Sequence, residues 1–109
     1  MAEKHDRLVA RYRGKLLRQG YRIERRSPFV DYRPDIFATR RRLRLFVEAE
    51  IEATLHGDHA LRQLEIMHRY LIANRNSRGI LLVPRRAKRE AAFLLESVFG
   101  DGRIGVGAL

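Results

Sequence analysis

The 109-residue chain has no cysteine and no tryptophan, and only three prolines. The missing cysteine excludes disulfides and thiolate metal sites, and a reducing compartment suits such a chain. No apolar run approaches the roughly 18 residues of a membrane span, so no membrane partner is expected. The start, Met1 to Arg7, carries no apolar signal core, which leads to a cytoplasmic expectation. Repeats, linkers and low-complexity tracts are absent as well. The length and the 45% hydrophobic content suit one folded domain spanning 1–109.

Acid is the other scarcity. Twenty-three lysines and arginines face thirteen acids, for a net charge of +10, and twenty of the bases are arginine. Such a footprint points to a polyanion, DNA first and RNA second, because each neutralised phosphate releases counterions. The balance is uneven. Residues 1–47 carry 14 bases and 5 acids, residues 48–65 one base and five acids, and residues 66–109 eight bases and three acids. An acidic island inside a basic chain costs repulsion unless a cation or arginines offset it.

Periodicity organises the rest. Residues 3–19 read as an amphipathic helix with Leu8, Val9, Tyr12, Leu16 and Leu17 on one side and Gly20 as its stop. Tyr21–Arg26 reads as a short strand. Tyr32–Thr39 reads as a second, with Pro34 at its start. Arg40, Arg41 and Arg42 form a turn that contains no Gly or Asn. Leu43–Ile51 alternates cleanly: Leu43, Leu45, Val47, Ala49 and Ile51 point one way, and Arg44, Phe46, Glu48, Glu50 and Glu52 the other. Residues 54–58 read as a loop, with Asp58 as cap for a helix over 60–74 that buries Leu61, Leu64, Met67, His68, Leu71 and Ile72. Residues 76–79 read as a turn and 80–83 as a strand covered on both faces. Residues 86–98 read as a helix with Ala87, Ala91, Leu94, Leu95 and Val98 inward, and 103–106 as an edge strand. The order is helix, three strands, helix, strand, helix: an α/β layer structure with a mixed sheet flanked by helices.

The chemistry concentrates in the hairpin. A tight turn between Arg41 and Arg42 sets facing positions that sum to 83, which places Asp35 opposite Glu48 with β-carbons about 4.5–5.5 Å apart. Glu50 follows Glu48 on the same face. Carboxylates so crowded suit a hard divalent cation, Mg²⁺ or Mn²⁺. The plain alternative is a solvated strand face with Arg33 and Arg44 as ion partners, and a one-residue slip parts the pair. Beside this edge lies His56-Gly57-Asp58-His59. His59 is a candidate because it stands one turn before Gln63 on one helix face. Gln63 aligns with Tyr70 two turns on. His68 reads as core edge and His5 as surface. Phosphate contacts are assigned to Arg25 and Arg26, to Arg40, Arg41, Arg42 and Arg44, and to Arg85, Arg86, Lys88 and Arg89. No base-reading helix signature is present.

Pro34-Asp35, the hairpin, and Glu48-Ala49-Glu50 together resemble the PD-(D/E)XK nuclease superfamily, and the element order is similar to that family's core. Ala60-Leu61-Arg62-Gln63-Leu64 with Tyr70 is similar to the helix that follows the motif in its exonuclease-like and resolvase-like branches. The resemblance covers roughly Leu8 to Val83. It implies a restriction-endonuclease-like core and a metal-dependent DNA endonuclease hydrolysing phosphodiesters, with structure-specific action on branched DNA as a homodimer. Asp35 and Glu48 become metal ligands in that reading, with Glu50 as base or further ligand and Gln63 as a helper. Glu50 stands where the family usually has lysine. The family's first-helix acid has no clear match in Glu3 or Asp6, and Glu24 is the spare candidate. The alternative is a catalytically inactive nucleic-acid-binding module on the same fold, serving plasmid, viral or DNA-repair machinery.

Overall fold

The computed structural model describes residues 2–109. Helix α1 (Ala2–Arg18) is followed by β1 (Arg22–Ile23), β2 (Ile36–Arg40), β3 (Leu43–Ala49), α2 (Asp58–Ala73) and β4 (Ser77–Val83). A 3-10 turn (Arg85–Ala87) leads into α3 (Lys88–Val98), and β5 (Ile104–Ala108) completes the fold. The five strands form one sheet in sequence order. β1, β2 and β3 are antiparallel neighbours, whereas β4 runs parallel to β3 and β5 parallel to β4. The parallel steps need crossovers, and α2 and α3 supply them. The result is the expected α/β mixed sheet flanked by helices.

The hairpin has the register expected from its turn. Ile36 pairs with Val47 and Arg40 with Leu43, so facing numbers sum to 83. Arg41 turns the chain at φ 56°, a conformation that L side chains rarely adopt. The strand starts differently from expectation. Residues 32–35 lie outside β2, because Pro34 offers no donor to a ladder. β1 keeps only two of its expected six residues, and the ladder beyond it is one bond, from the Glu24 N–H to the Phe37 carbonyl.

Two cores sandwich the sheet. On one face α1 packs Leu8, Tyr12 and Leu16 against Ile36, Ala38, Leu45, Val47 and Leu82. On the other, α2 and α3 cover Phe46, Leu81 and Val83 with Leu64, Met67, Leu71, Ala91 and Leu95. Each fully buried Leu or Met contributes about 1.5–3 kcal/mol. The alternation expected in β3 holds, yet both its faces are covered from Leu45 onward. That double cover takes Glu48 and Glu50 out of solvent. Among the described residues no helix is long and apolar enough to cross a membrane.

Several boundaries move for stated reasons. Leu17, Ile72 and Val98 are exposed, lying just past the edge of each helix's buried stripe. α1 ends in a Schellman motif: the Gly20 N–H donates to Leu17 and the Tyr21 N–H to Leu16, with Gly20 at φ 89°. α2 takes Gly57, not Asp58, as its N-cap, and no side chain caps it. Ser77–Gly79 belong to β4 and not to a turn. Gly79 is needed for space there, since a β-carbon on it would meet Met67 Sδ at 2.6 Å and Leu71 at 3.0 Å. The last strand extends to Ala108, two residues past its expected end.

Candidate functional site

The site sits where β3 ends, beside the last residue before β2. The ladder ends at the Ile36–Val47 pair, and Asp35 follows just outside it, near enough for its charge to act on Glu48. The Ala49 N–H donates to Asp35 Oδ2 at 2.8 Å, which fixes that carboxylate against β3. His5 of α1 brings Nε2 to 3.2 Å from the same oxygen. The Tyr32 hydroxyl donates to Glu48 Oε1 at 2.8 Å.

Aromatic packing holds Tyr32 in place. Phe29 meets Tyr32, Phe46 and Tyr70 edge-on or tilted, with centroids 4.9, 5.1 and 5.2 Å away, and Phe37 stacks on Phe46 at 4.8 Å. The loop between β1 and β2 is thereby pinned over the hairpin, with its only buried hydroxyl aimed at Glu48.

Among the described residues Glu48 and Glu50 are the only buried charged side chains, 3% and 6% exposed. Burial pushes the Glu48 pKa up to about 9, and the charge of Asp35 adds to that, against the pull of the Tyr32 hydroxyl. Burial also raises Glu50, opposed by a hydrogen bond from Thr54. For His5, burial works against the charged form, but Asp35 and Asp6 outweigh it, so its pKa is raised. Tyr32 is raised by burial and by the charge of Glu48.

These groups border a cavity of about 700 Å³, whose wall includes His5, Asp35, Glu48, Glu50, His59 and Gln63. Among the described residues no lysine or arginine lines it, in a chain with a net charge of +10. The cavity opens at the carboxyl end of β3, the end of the strands where open α/β sheets place ligands. Among the described residues no three His, Asp or Glu side chains converge closely enough to hold a metal ion. What converges is the pair Asp35 and Glu48. One or two carboxylates completed by waters and phosphate oxygens is the set Mg²⁺ generally takes, so the donor chemistry fits a hard divalent cation.

The other candidates divide. Gln63 and His59 reach the cavity from the first turns of α2, as their helical spacing implied. Tyr70 does not: it lies in the aromatic cluster and accepts a hydrogen bond from Arg44. Glu24 is held by the Thr39 hydroxyl at 2.6 Å and faces a different groove. His56 pairs with Glu90, and His68 stacks on Phe99 at the core edge beside Asp101.

The arginine runs also separate. Arg85, Arg86, Lys88 and Arg89 follow β4, at the carboxylate end of the sheet. Arg40, Arg41 and Arg42 lie at the hairpin turn, about 17–20 Å of strand away from Asp35. Arg40 is committed there, donating to the Gln19 carbonyl and stacking over Tyr21. Arg25 and Arg26 sit on the loop after β1.

Two participants escaped the sequence reading. His5, expected at the surface, reaches the site from α1. Its signal was available, since 5, 8, 12 and 16 keep helical spacing with the buried stripe. Tyr32 gave no such signal, because it lies in a non-strand segment and its partner is sixteen residues away in β3. Comparison with protein-family models, with curated proteins and with solved structures found no match to this chain.

Proposed function

We propose that this chain is a metal-dependent nuclease that hydrolyses phosphodiester bonds in DNA on a PD-(D/E)XK-like core. The observation that carries the proposal is Asp35 and Glu48 side by side on the wall of a cavity that no arginine lines among the described residues, in a strongly basic chain. The order of helix, antiparallel three-strand meander, helix and parallel strand supports the restriction-endonuclease-like reading of the core.

Asp35 and Glu48 are the groups that hold Mg²⁺ or Mn²⁺. A bound ion of this kind neutralises phosphate charge and acidifies water. The Ala49 N–H and the Tyr32 hydroxyl orient the two carboxylates, so their geometry is set before substrate arrives. Glu50 stands where the family has lysine, and its raised pKa brings it toward the range of a working general base. In hydrolysis a water oxygen bonds to phosphorus and the ester P–O bond breaks. Glu50 takes the water proton, and the leaving oxygen is protonated from solvent. Gln63 lines the same cavity with an amide that can both donate and accept.

The test is cleavage of branched, single-stranded and plasmid DNA with Mg²⁺ or Mn²⁺. Asp35→Asn and Glu48→Gln should each lower the rate about 100-fold or more, since the ion's charge stabilisation is worth several kcal/mol. Wild-type rates in both variants would overturn the proposal.

One observation favours a second reading, a nucleic-acid-binding module that no longer cleaves. The cavity holds no lysine, and a third carboxyl occupies its usual place. This reading expects DNA binding that is salt-sensitive and survives chelation, with no cleavage under either metal. Glu50→Lys separates the two, because it restores the family's pattern. Cleavage gained only in that variant identifies the wild type as the retired form.

A further inference from the structure

A second groove, of about 670 Å³, adjoins the carboxylate cavity on the α1–β1 side, and Asp35 belongs to the walls of both. Three guanidiniums line it: Arg13 from α1, Arg25 from the loop after β1, and Arg33 just before Pro34. All three side chains are exposed. Among the described residues none of the three makes an ion pair or a hydrogen bond, and their charges share one concave wall. The one acid in this groove besides Asp35 is Glu24, already held by Thr39 with Arg22 at 3.9 Å. Uncompensated positive charge therefore gathers in a concave surface that leads directly to the carboxylate pair. Phe37, half-buried, adds an aromatic face to the wall.

We infer that this groove binds one nucleic-acid strand through its phosphates, with Arg13, Arg25 and Arg33 as the contacts, and guides that strand past Asp35 into the cavity. The inference rests on the reading of the chain as a nucleic-acid enzyme, and it moves the phosphate grip away from Arg40–Arg42 at the far end of the hairpin. Three unpaired arginines along a groove give backbone attraction without base readout, so binding is independent of sequence. Arg13 and Arg33 lie in no basic run, so only the fold brings them beside Arg25.

The experiment measures binding of a fluorescein-labelled single-stranded DNA 30-mer in EDTA across about 50–200 mM salt, the range in which phosphate contacts show. The triple variant Arg13→Ala, Arg25→Ala, Arg33→Ala is compared with Arg69→Ala, Arg75→Ala, Arg78→Ala. The second triple removes the same charge from exposed positions at or near the opposite end of the sheet. The groove triple should weaken binding about ten-fold or more at mid-range salt and flatten the log–log salt slope by about two units, at about 0.7 per phosphate contact. The second triple should stay within about three-fold of wild type, with a slope change below about one. Equal losses in both triples, an unaffected groove triple, or a wild type that does not bind would each overturn the inference. Binding in EDTA needs no cleavage, so the two proposals fail separately. A groove result as expected with no cleavage removes the nuclease reading alone. Metal-dependent cleavage with a groove triple that binds normally removes the groove alone.

Discussion

Acids in this chain meet two very different environments. Glu52, Glu90 and Asp101 lie at the surface, and each sits beside a base: Glu52 by Arg86, Glu90 by His56 and Asp101 by His68 and Arg103. Slight desolvation pushes the Asp101 pKa up, but the Arg103 N–H and His68 outweigh it and hold the carboxyl below its usual value. Asp35, Glu48 and Glu50 border a cavity with no lysine or arginine, and the two glutamates are buried and raised. With 20 arginines in the sequence, an arginine partner for the buried pair was readily available, and none is there. The surface acids are solvated pairs of small energetic weight. The buried pair avoids repulsion by holding a proton on Glu48, which a cation would have to displace.

The contrast breaks most directly through pH. The Glu48 pKa is raised from 4.5 to about 9, so between those values the folded state holds a proton that the unfolded state has lost. Stability therefore falls as pH rises through that window. Thermal unfolding of the chelated protein at pH 5, 7 and 9 should show that decline, and Glu48→Gln should remove most of it. An equally steep decline in the variant would assign the slope elsewhere.

A divalent cation should reverse the trend. It binds the carboxylate form, so it must displace the Glu48 proton, and its affinity should rise up to about ten-fold per pH unit below the pKa. Calorimetric titration with Mn²⁺ at pH 6 and pH 8 should give a ratio approaching 100-fold. The same affinity at both pH values would separate the cation from Glu48.

Tyr32→Phe should destabilise by about 1–3 kcal/mol, because it strips the donor from a buried carboxyl oxygen. It should also steepen the pH decline, since the Tyr32 hydroxyl pulls the Glu48 pKa down. Urea unfolding at pH 7 and pH 9 measures both effects. The smallest changes belong to the surface: Glu52→Ala and Glu90→Ala should each shift stability by less than about 0.5 kcal/mol. A larger loss at either would erase the distinction between the two sets of acids.

The hairpin was legible in the sequence because its two rules are local. Alternation in 43–49 and a two-residue turn fix the register, and the register puts Asp35 against Glu48. α2 was legible from its stripe, and with it Gln63 and His59. What stayed hidden depends on contacts between distant segments. The Tyr32 hydroxyl and His5 reach carboxylates sixteen and thirty residues away. Gly79 carries a turn signal in sequence, yet its role is to let α2 approach β4. The convergence of Arg13, Arg25 and Arg33 has no run or spacing to announce it. The arginine runs are conspicuous in sequence instead, and Arg40–Arg42 fold to the hairpin turn, at the far end of β2 from Asp35. Burial of Glu48 was equally invisible, since alternation states which face a side chain takes but not what covers that face.

Diffraction from crystals soaked in Mn²⁺ at pH 8, recorded for its anomalous signal, tests the cation site most directly. An anomalous peak between the carboxylates of Asp35 and Glu48, lost in Glu48→Gln crystals, is the expected result. A saturating soak that leaves that position empty, or that places manganese only beside Glu52 or Glu90, would contradict it.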